Sequence, residues 1–230
     1  MKTKVLIAVG LLAGIAASAQ AGSIVNTKHD LSSTTANSIR STTQNQTCVF
    51  CHAPHNAVTN KLLWNRNALA GTMKIYTSYN TGAMRTALSQ NTLGSDNSSL
   101  LCLSCHSLTT AADVITNTAY SKGGSANGSA SSTFPTVTGG MDNLTNDHPV
   151  GINYDAAFGI AGAVGLNASG STTKGQTVGG ANGLRLFKSA VSGTSTMECA
   201  SCHNVHDNDY GKFLAMSNSA SALCVVCHVK

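Results

Sequence analysis

An irregular chain with short helices and few or no strands, and an interior that its own side chains cannot fill, is the fold class this sequence predicts. Three observations carry that expectation. Aromatic residues are 5% and charged residues 10% of the 230-residue chain, while Gly, Ser, Thr, Asn and Ala dominate long stretches. Apolar runs able to build a protein-only core are few, and long coil ordinarily argues against a compact domain. Against this stands a pattern that repeats four times, Cys-x-x-Cys-His, at 48–52 (CVFCH), 102–106 (CLSCH), 199–203 (CASCH) and 224–228 (CVVCH).

This spacing is the attachment signature of c-type haem. Two thiols two residues apart each add to one vinyl group of a single porphyrin, and the histidine that follows is placed under the iron. The pairs are Cys48 and Cys51, Cys102 and Cys105, Cys199 and Cys202, and Cys224 and Cys227, with His52, His106, His203 and His228 as the adjoining axial ligands. Four haem c groups, covalently attached, would supply the large flat apolar surfaces that the composition lacks. The expected architecture is therefore a multihaem c-type cytochrome fold organised around stacked haems, with an electron carrier as its function.

Other readings of the cysteines fit less well. A zinc ribbon pairs Cys-x-x-Cys units and needs no histidine after each. A disulfide framework suits an exported chain, but four adjacent pairs each ending in histidine are poor material for it. A thioredoxin-like redox motif would occur once, within a βαβ pattern.

Taken in order, residues 1–21 read as a cleaved secretory signal peptide. Lys2 and Lys4 form the positive region, Val5 to Ala17 the apolar core, and Ala19-Gln20-Ala21 the small-x-small cleavage site. The apolar run is short for a bilayer span and no second one follows, so no stable membrane span is expected. Residues 22–230 then form a single tetrahaem unit. Without Lys2 and Lys4 the formal charge of +5 falls to +3. The propionates that each haem carries would bring the assembly near neutral or acidic, so the sequence pI of 8.8 is no argument for nucleic acid.

From Gly22 the chain is rich in Ser and Thr; Asp30 or Ser32 could cap a short helix. Lys61 to Leu69 (KLLWNRNAL) has the composition of a short helix, with Trp64 packing on a porphyrin or a neighbouring loop. Residues 71–94, with Tyr76, Tyr79 and Met84, show no clean period. Ser95 to Ser99 offers several N-caps before Leu100-Leu101-Cys102, so the second motif is expected on a short helix. Ser217 to Ser221 repeats the arrangement before Ala222-Leu223-Cys224. Two Gly/Ser-rich stretches, 121–140 and 167–183, read as surface loops or hairpins with Gly-Gly turns, with disorder an alternative for 121–132. Between them, Pro149 restricts the backbone of His148 and presents its ring rigidly.

The metal arithmetic decides the ligation expected. All eight cysteines lie in the motifs, and four of the eight histidines close them. The remaining four, His29, His55, His148 and His206, match the number of sixth ligands that four haems require. Met73, Met84, Met141, Met197 and Met216 are rivals, but packing is the default for methionine. His52 and His55 are three apart, as are His203 and His206. Residues so spaced lie side by side on a helical turn, so His55 and His206 should each serve a haem other than the one anchored beside them. Each Cys-x-x-Cys-His-x-x-His would clamp two porphyrins together.

The segments KHDLS (28–32), CVFCHAPHN (48–56), LWNR (63–66), DHPVG (147–151), ECASCHNVH (198–206) and Leu223 to His228 together resemble the extracellular tetrahaem cytochrome nanowire family, the outer-membrane cytochrome E type of metal-reducing bacteria. That resemblance implies a secreted subunit that polymerises with copies of itself into a conductive filament. It would exchange electrons with redox partners at the cell surface and with extracellular acceptors such as metal oxides. It also implies that one ligand histidine comes from a neighbouring subunit, and His55 is the nominee. A soluble periplasmic tetrahaem shuttle is the alternative. An enzyme would need an open coordination position, and none remains if all four spare histidines ligate.

Overall fold

The computed structural model describes residues 22–38, 40–41, 44–55, 57, 62–66, 97–106, 144, 147–161, 165–172, 175–179, 183–188 and 193–229. The signal segment, the stretch 121–140, Tyr76, Tyr79 and three of the methionines (Met73, Met84 and Met141) lie outside these residues.

Four short α-helices are formed among them: α1 (Ser99–His106), α2 (Tyr154–Ala161), α3 (Cys199–Cys202) and α4 (Ala222–Cys227). Three of the four carry a haem-attachment motif. The remaining motif opens on a 3-10 turn, Thr47–Phe50. A Cys-x-x-Cys-His in one turn of helix sets both thiols on one side and leaves the histidine at the C-terminal end. The backbone N–H of His52, His203 and His228 each returns to the carbonyl of the first cysteine of its motif, at 2.9, 3.1 and 3.0 Å.

Strands are more numerous than the sequence led us to expect. Six short ones, β1 (Ile152–Asn153), β2 (Ser169–Thr172), β3 (Gly175–Val178), β4 (Leu184–Arg185), β5 (Phe187–Lys188) and β6 (Ser195–Met197), form two three-stranded antiparallel sheets. One has the order β1-β6-β5, with Ile152 opposite Met197 and Phe187 opposite Thr196; the other is β2-β3-β4, with Ser169 opposite Val178 and Val178 opposite Leu184. Strands of two to four residues are too short to show an alternation of period two. The Gly-rich stretch 167–183 does supply a hairpin, as its turn chemistry suggests. Glycine is required at the following turn, where Gly179 has φ +81° and a Cβ on Gly183 would lie 1.7 Å from the Val178 carbonyl.

These sheets, with α1, α2 and α4, enclose an apolar cluster that includes Leu103, Leu144, Ile152, Tyr154, Val178, Leu184 and Met197, and reaches Cys227 of the fourth motif. Met216 packs against it, so Met197 and Met216 both serve as packing residues. Each fully buried aliphatic side chain contributes roughly 1.5–3 kcal/mol, so the C-terminal half has a protein core of its own. A smaller cluster, Val49 and Phe50 with Leu31 and Cys51, lies under the first motif.

One expected helix is not formed among the described residues, and the Ser/Thr-rich segment after Gly22, whose composition disfavours regular structure, has none. Asp30 caps nothing. It is 1% exposed and accepts hydrogen bonds from the Asn26 and Ser32 amides and the Ser32 hydroxyl, drawing residues 26–32 into tight turns. Within the expected helix 61–69, residues Leu62 to Arg66 form a turn instead: Leu62 and Leu63 have φ of 54° and 53°, and Trp64 bridges His52. Local propensity is overridden there by the bonds to the first motif that are described next.

Candidate haem sites

Three histidine pairs form, each joining one motif histidine to one of the four spare ones. His106 faces His29 with ring centroids 6.0 Å apart, His52 faces His206 at 6.2 Å, and His228 faces His148 at 6.3 Å. An imidazole nitrogen sits about 2 Å from a bound metal, and adding the two half-rings puts the centroids of trans imidazoles about 6 Å apart. The spacing therefore fits one iron between each pair. Among the described residues no cluster of three or more His, Cys, Asp or Glu could hold a metal ion. Two protein ligands per metal suit a porphyrin, which supplies the other four.

Backbone carbonyls orient the rings. Nδ1 of His52 donates to the Leu62 carbonyl at 2.6 Å, that of His203 to the Lys212 carbonyl at 3.0 Å, and that of His148 to the Pro149 carbonyl at 3.1 Å. A carbonyl can only accept, so each of these Nδ1 atoms carries a proton, and Nε2 is the atom turned away from that bond and available to a metal. For His29, burial, helped by repulsion from His106, His203 and His206, pushes the pKa down to about 4. Its Nδ1 is buried without a hydrogen-bond partner, and its ring packs on Phe213 at 4.3 Å.

The first and third motifs share a device the sequence reading missed. After each His-x-x-His the chain turns back through two successive left-handed residues and pairs antiparallel with the motif histidine. Leu62 and Leu63 (φ 54° and 53°) lead to the His52–Trp64 bridge; Lys212 and Phe213 (φ 50° and 56°) lead to the His203–Leu214 bridge. The bonds correspond one by one. Ala53 N–H donates to Leu63 O at 2.8 Å and Asn204 N–H to Phe213 O at 2.7 Å; Asn65 N–H donates to Cys51 O and Ala215 N–H to Cys202 O, both at 2.9 Å. Each left-handed non-glycine residue costs about 1–2 kcal/mol, and such strain gathers where a structure must aim a group. Here it aims the carbonyls at the histidine rings. The corresponding residues are Leu62-Leu63-Trp64 and Lys212-Phe213-Leu214, with the first loop one residue longer, so the likeness is barely visible in the sequence.

Other residues join the motifs to each other. Trp64 sets its ring against His52 at 5.9 Å and donates Nε1–H to the Ser104 hydroxyl at 3.2 Å, so it packs on the neighbouring α1. Arg66, 1% exposed, donates to the Ser104 carbonyl at 3.4 Å. Glu198, also 1% exposed, spans α1 and α3. The caps of the attachment helices differ from the local Ser and Asn residues expected. The first amide of α1 is taken by Glu198, and α4 begins at Ser221 in left-handed geometry with no side-chain cap.

The attachment thiols are free cysteines in this chain, as addition to porphyrin vinyls requires. Burial raises the pKa of Cys51 to about 12 and that of Cys202 to about 11, and mutual repulsion with neighbouring motif thiols adds to both. Thiols of successive motifs thus stand close together.

Residues 193–230, holding the third and fourth motifs, match the family model described as a doubled CXXCH motif. What the match supports is a multihaem c-type cytochrome. Covalently bound c-type haem, electron transfer and the role of a carrier follow from that coarse class. No curated protein matches the chain. His203 takes part in none of these three pairs, and His55 is exposed on the first loop. No described helix is long and apolar enough to cross a membrane.

Proposed function

We propose that the chain is an exported tetrahaem c-type cytochrome that passes electrons along bis-histidine haems and assembles with copies of itself into an extracellular filament. The observation that carries this reading is the pairing of three motif histidines with three spare ones at 6.0–6.3 Å. Bound haem supplies one-electron exchange at iron, and two histidine ligands give it a lower potential than a histidine–methionine pair. The thiols of Cys48, Cys51, Cys102, Cys105, Cys199, Cys202, Cys224 and Cys227 hold the four groups. The ligand pairs are His52/His206, His106/His29 and His228/His148.

His206 belongs to the third motif loop but faces His52 of the first, which supports the two-haem clamp. For the haem at Cys199/Cys202 we assign, on the resemblance to the filament-forming family, the His55 of another copy as the ligand opposite His203. Repeating this ligation would join subunits head to tail, a heterologous contact that extends into a filament when it does not close. The electrons would leave for external acceptors such as metal oxides.

Size and shape of the haem-loaded secreted protein test the reading. Filaments with a continuous haem chain are the expected result. Discrete monomers at every concentration would favour a soluble periplasmic shuttle.

A further inference from the structure

Glu198 precedes the third motif, yet its carboxylate is bound to the segment ahead of the second. Asn97 Nδ2 donates to Oε1 at 2.7 Å, and the Ser99 amide and hydroxyl donate to Oε2 at 3.1 and 2.5 Å. The Ser99 oxygen in turn accepts the Cys199 amide at 3.0 Å, and the Glu198 amide donates to the Ser201 hydroxyl at 3.0 Å. One side chain therefore closes the N-terminal ends of both α1 and α3. All of its partners are neutral donors, which suit the acceptor-only ionised carboxylate.

A simple cap would be a hydroxyl or amide at the surface. This is a charge, 1% exposed, placed where two attachment helices meet. Cys199 is its chain neighbour, and Cys102 lies one turn along α1 from Ser99. Charges interact strongly over several ångströms in so poorly screened a setting. Reduction of a haem removes one positive charge at iron, so a nearby anion favours the oxidised form and lowers the potential.

We propose that Glu198 is a positioning and tuning residue: it fixes the spacing of the second and third attachment helices, and its charge lowers the reduction potentials of the haems at Cys102/Cys105 and Cys199/Cys202 relative to the other two. This rests on the tetrahaem reading above. Electrons would then rest preferentially on the haems at Cys48/Cys51 and Cys224/Cys227, the two ends of the chain order.

The test is a redox titration of the haem-loaded protein followed by haem absorbance, with haem counted per chain and low-spin character checked on the same sample. Glu198→Gln removes the charge and keeps the shape; two of the four one-electron steps should shift upward and two stay in place. Glu198→Asp retains the charge and should restore the wild-type potentials, even where the protein melts earlier. Ser99→Ala removes the hydroxyl hydrogen bond to Oε2 that tempers the charge and should move the same two steps downward. This second variant decides the matter if Glu198→Gln does not fold. Four unmoved steps, a uniform shift of all four, or equal shifts in the Asp and Gln variants would make Glu198 a structural cap only. Fewer than four haems per wild-type chain would instead overturn the tetrahaem reading itself.

Discussion

The loops after the first and third motifs are built alike and end differently. Both return through two left-handed residues, both bridge their motif histidine, and both hold Nδ1 of that histidine with a strained carbonyl. In the third loop, His206 faces His52, and Phe213 lies under His29, so this loop serves two sites besides its own. The first loop sends Trp64 to Ser104 but leaves Leu62 and Leu63 65% and 50% exposed, with His55 at the surface. One backbone device thus closes contacts inside the chain in one copy and leaves an apolar pair, with His55 nearby, at the surface in the other. That is the asymmetry a head-to-tail assembly requires.

The largest effects should come from the two histidines that the comparison separates. His206→Ala should leave the haem at Cys48/Cys51 without its second ligand, turning one of the three low-spin sites of isolated subunits high-spin, as read by absorbance and electron paramagnetic resonance. His55→Ala should leave isolated subunits unchanged and abolish their assembly. Identical phenotypes for the two variants would erase the distinction between the loops.

Next in size is the packing contrast. Phe213 is 8% exposed, so Phe213→Ala should cost about 3 kcal/mol in denaturant titrations and loosen His29. Leu63→Ala, at the corresponding position of the first loop, should cost less than about 1 kcal/mol in isolated subunits. Its effect should rise on assembly if this pair is covered by another copy.

The haem chemistry was legible because attachment is local: two thiols and a histidine within five residues specify it. The spare histidines could be counted, and the side-by-side geometry of His203 and His206 led to the expectation that His206 serves a different site; its ring faces His52. Which histidine faces which was not legible, because His29 and His106 are brought together only by folding, through Phe213 of a third segment. The strained turns were hidden for another reason. Left-handed backbone usually announces itself as glycine or asparagine, whereas here it falls on Leu62, Leu63, Lys212 and Phe213. The expected helix at Lys61 to Leu69 failed on that point. Glu198 reads as an ordinary charged residue until Ser99 is seen against it.

The smallest effect concerns the strain itself. Lys212→Gly and Leu62→Gly relieve a left-handed residue at partly or largely exposed positions, and each should leave stability unchanged or raise it by up to about 1 kcal/mol. A loss above about 2 kcal/mol in either would mean that the side chains, not the carbonyls, hold these turns.

Counting spin states in subunits before and after assembly tests the central claim most directly. Subunits separated without unfolding should hold three low-spin bis-histidine haems and one, at Cys199/Cys202, lacking its second histidine; the filament should hold four low-spin haems per subunit. Four bis-histidine haems in separated subunits would contradict the account.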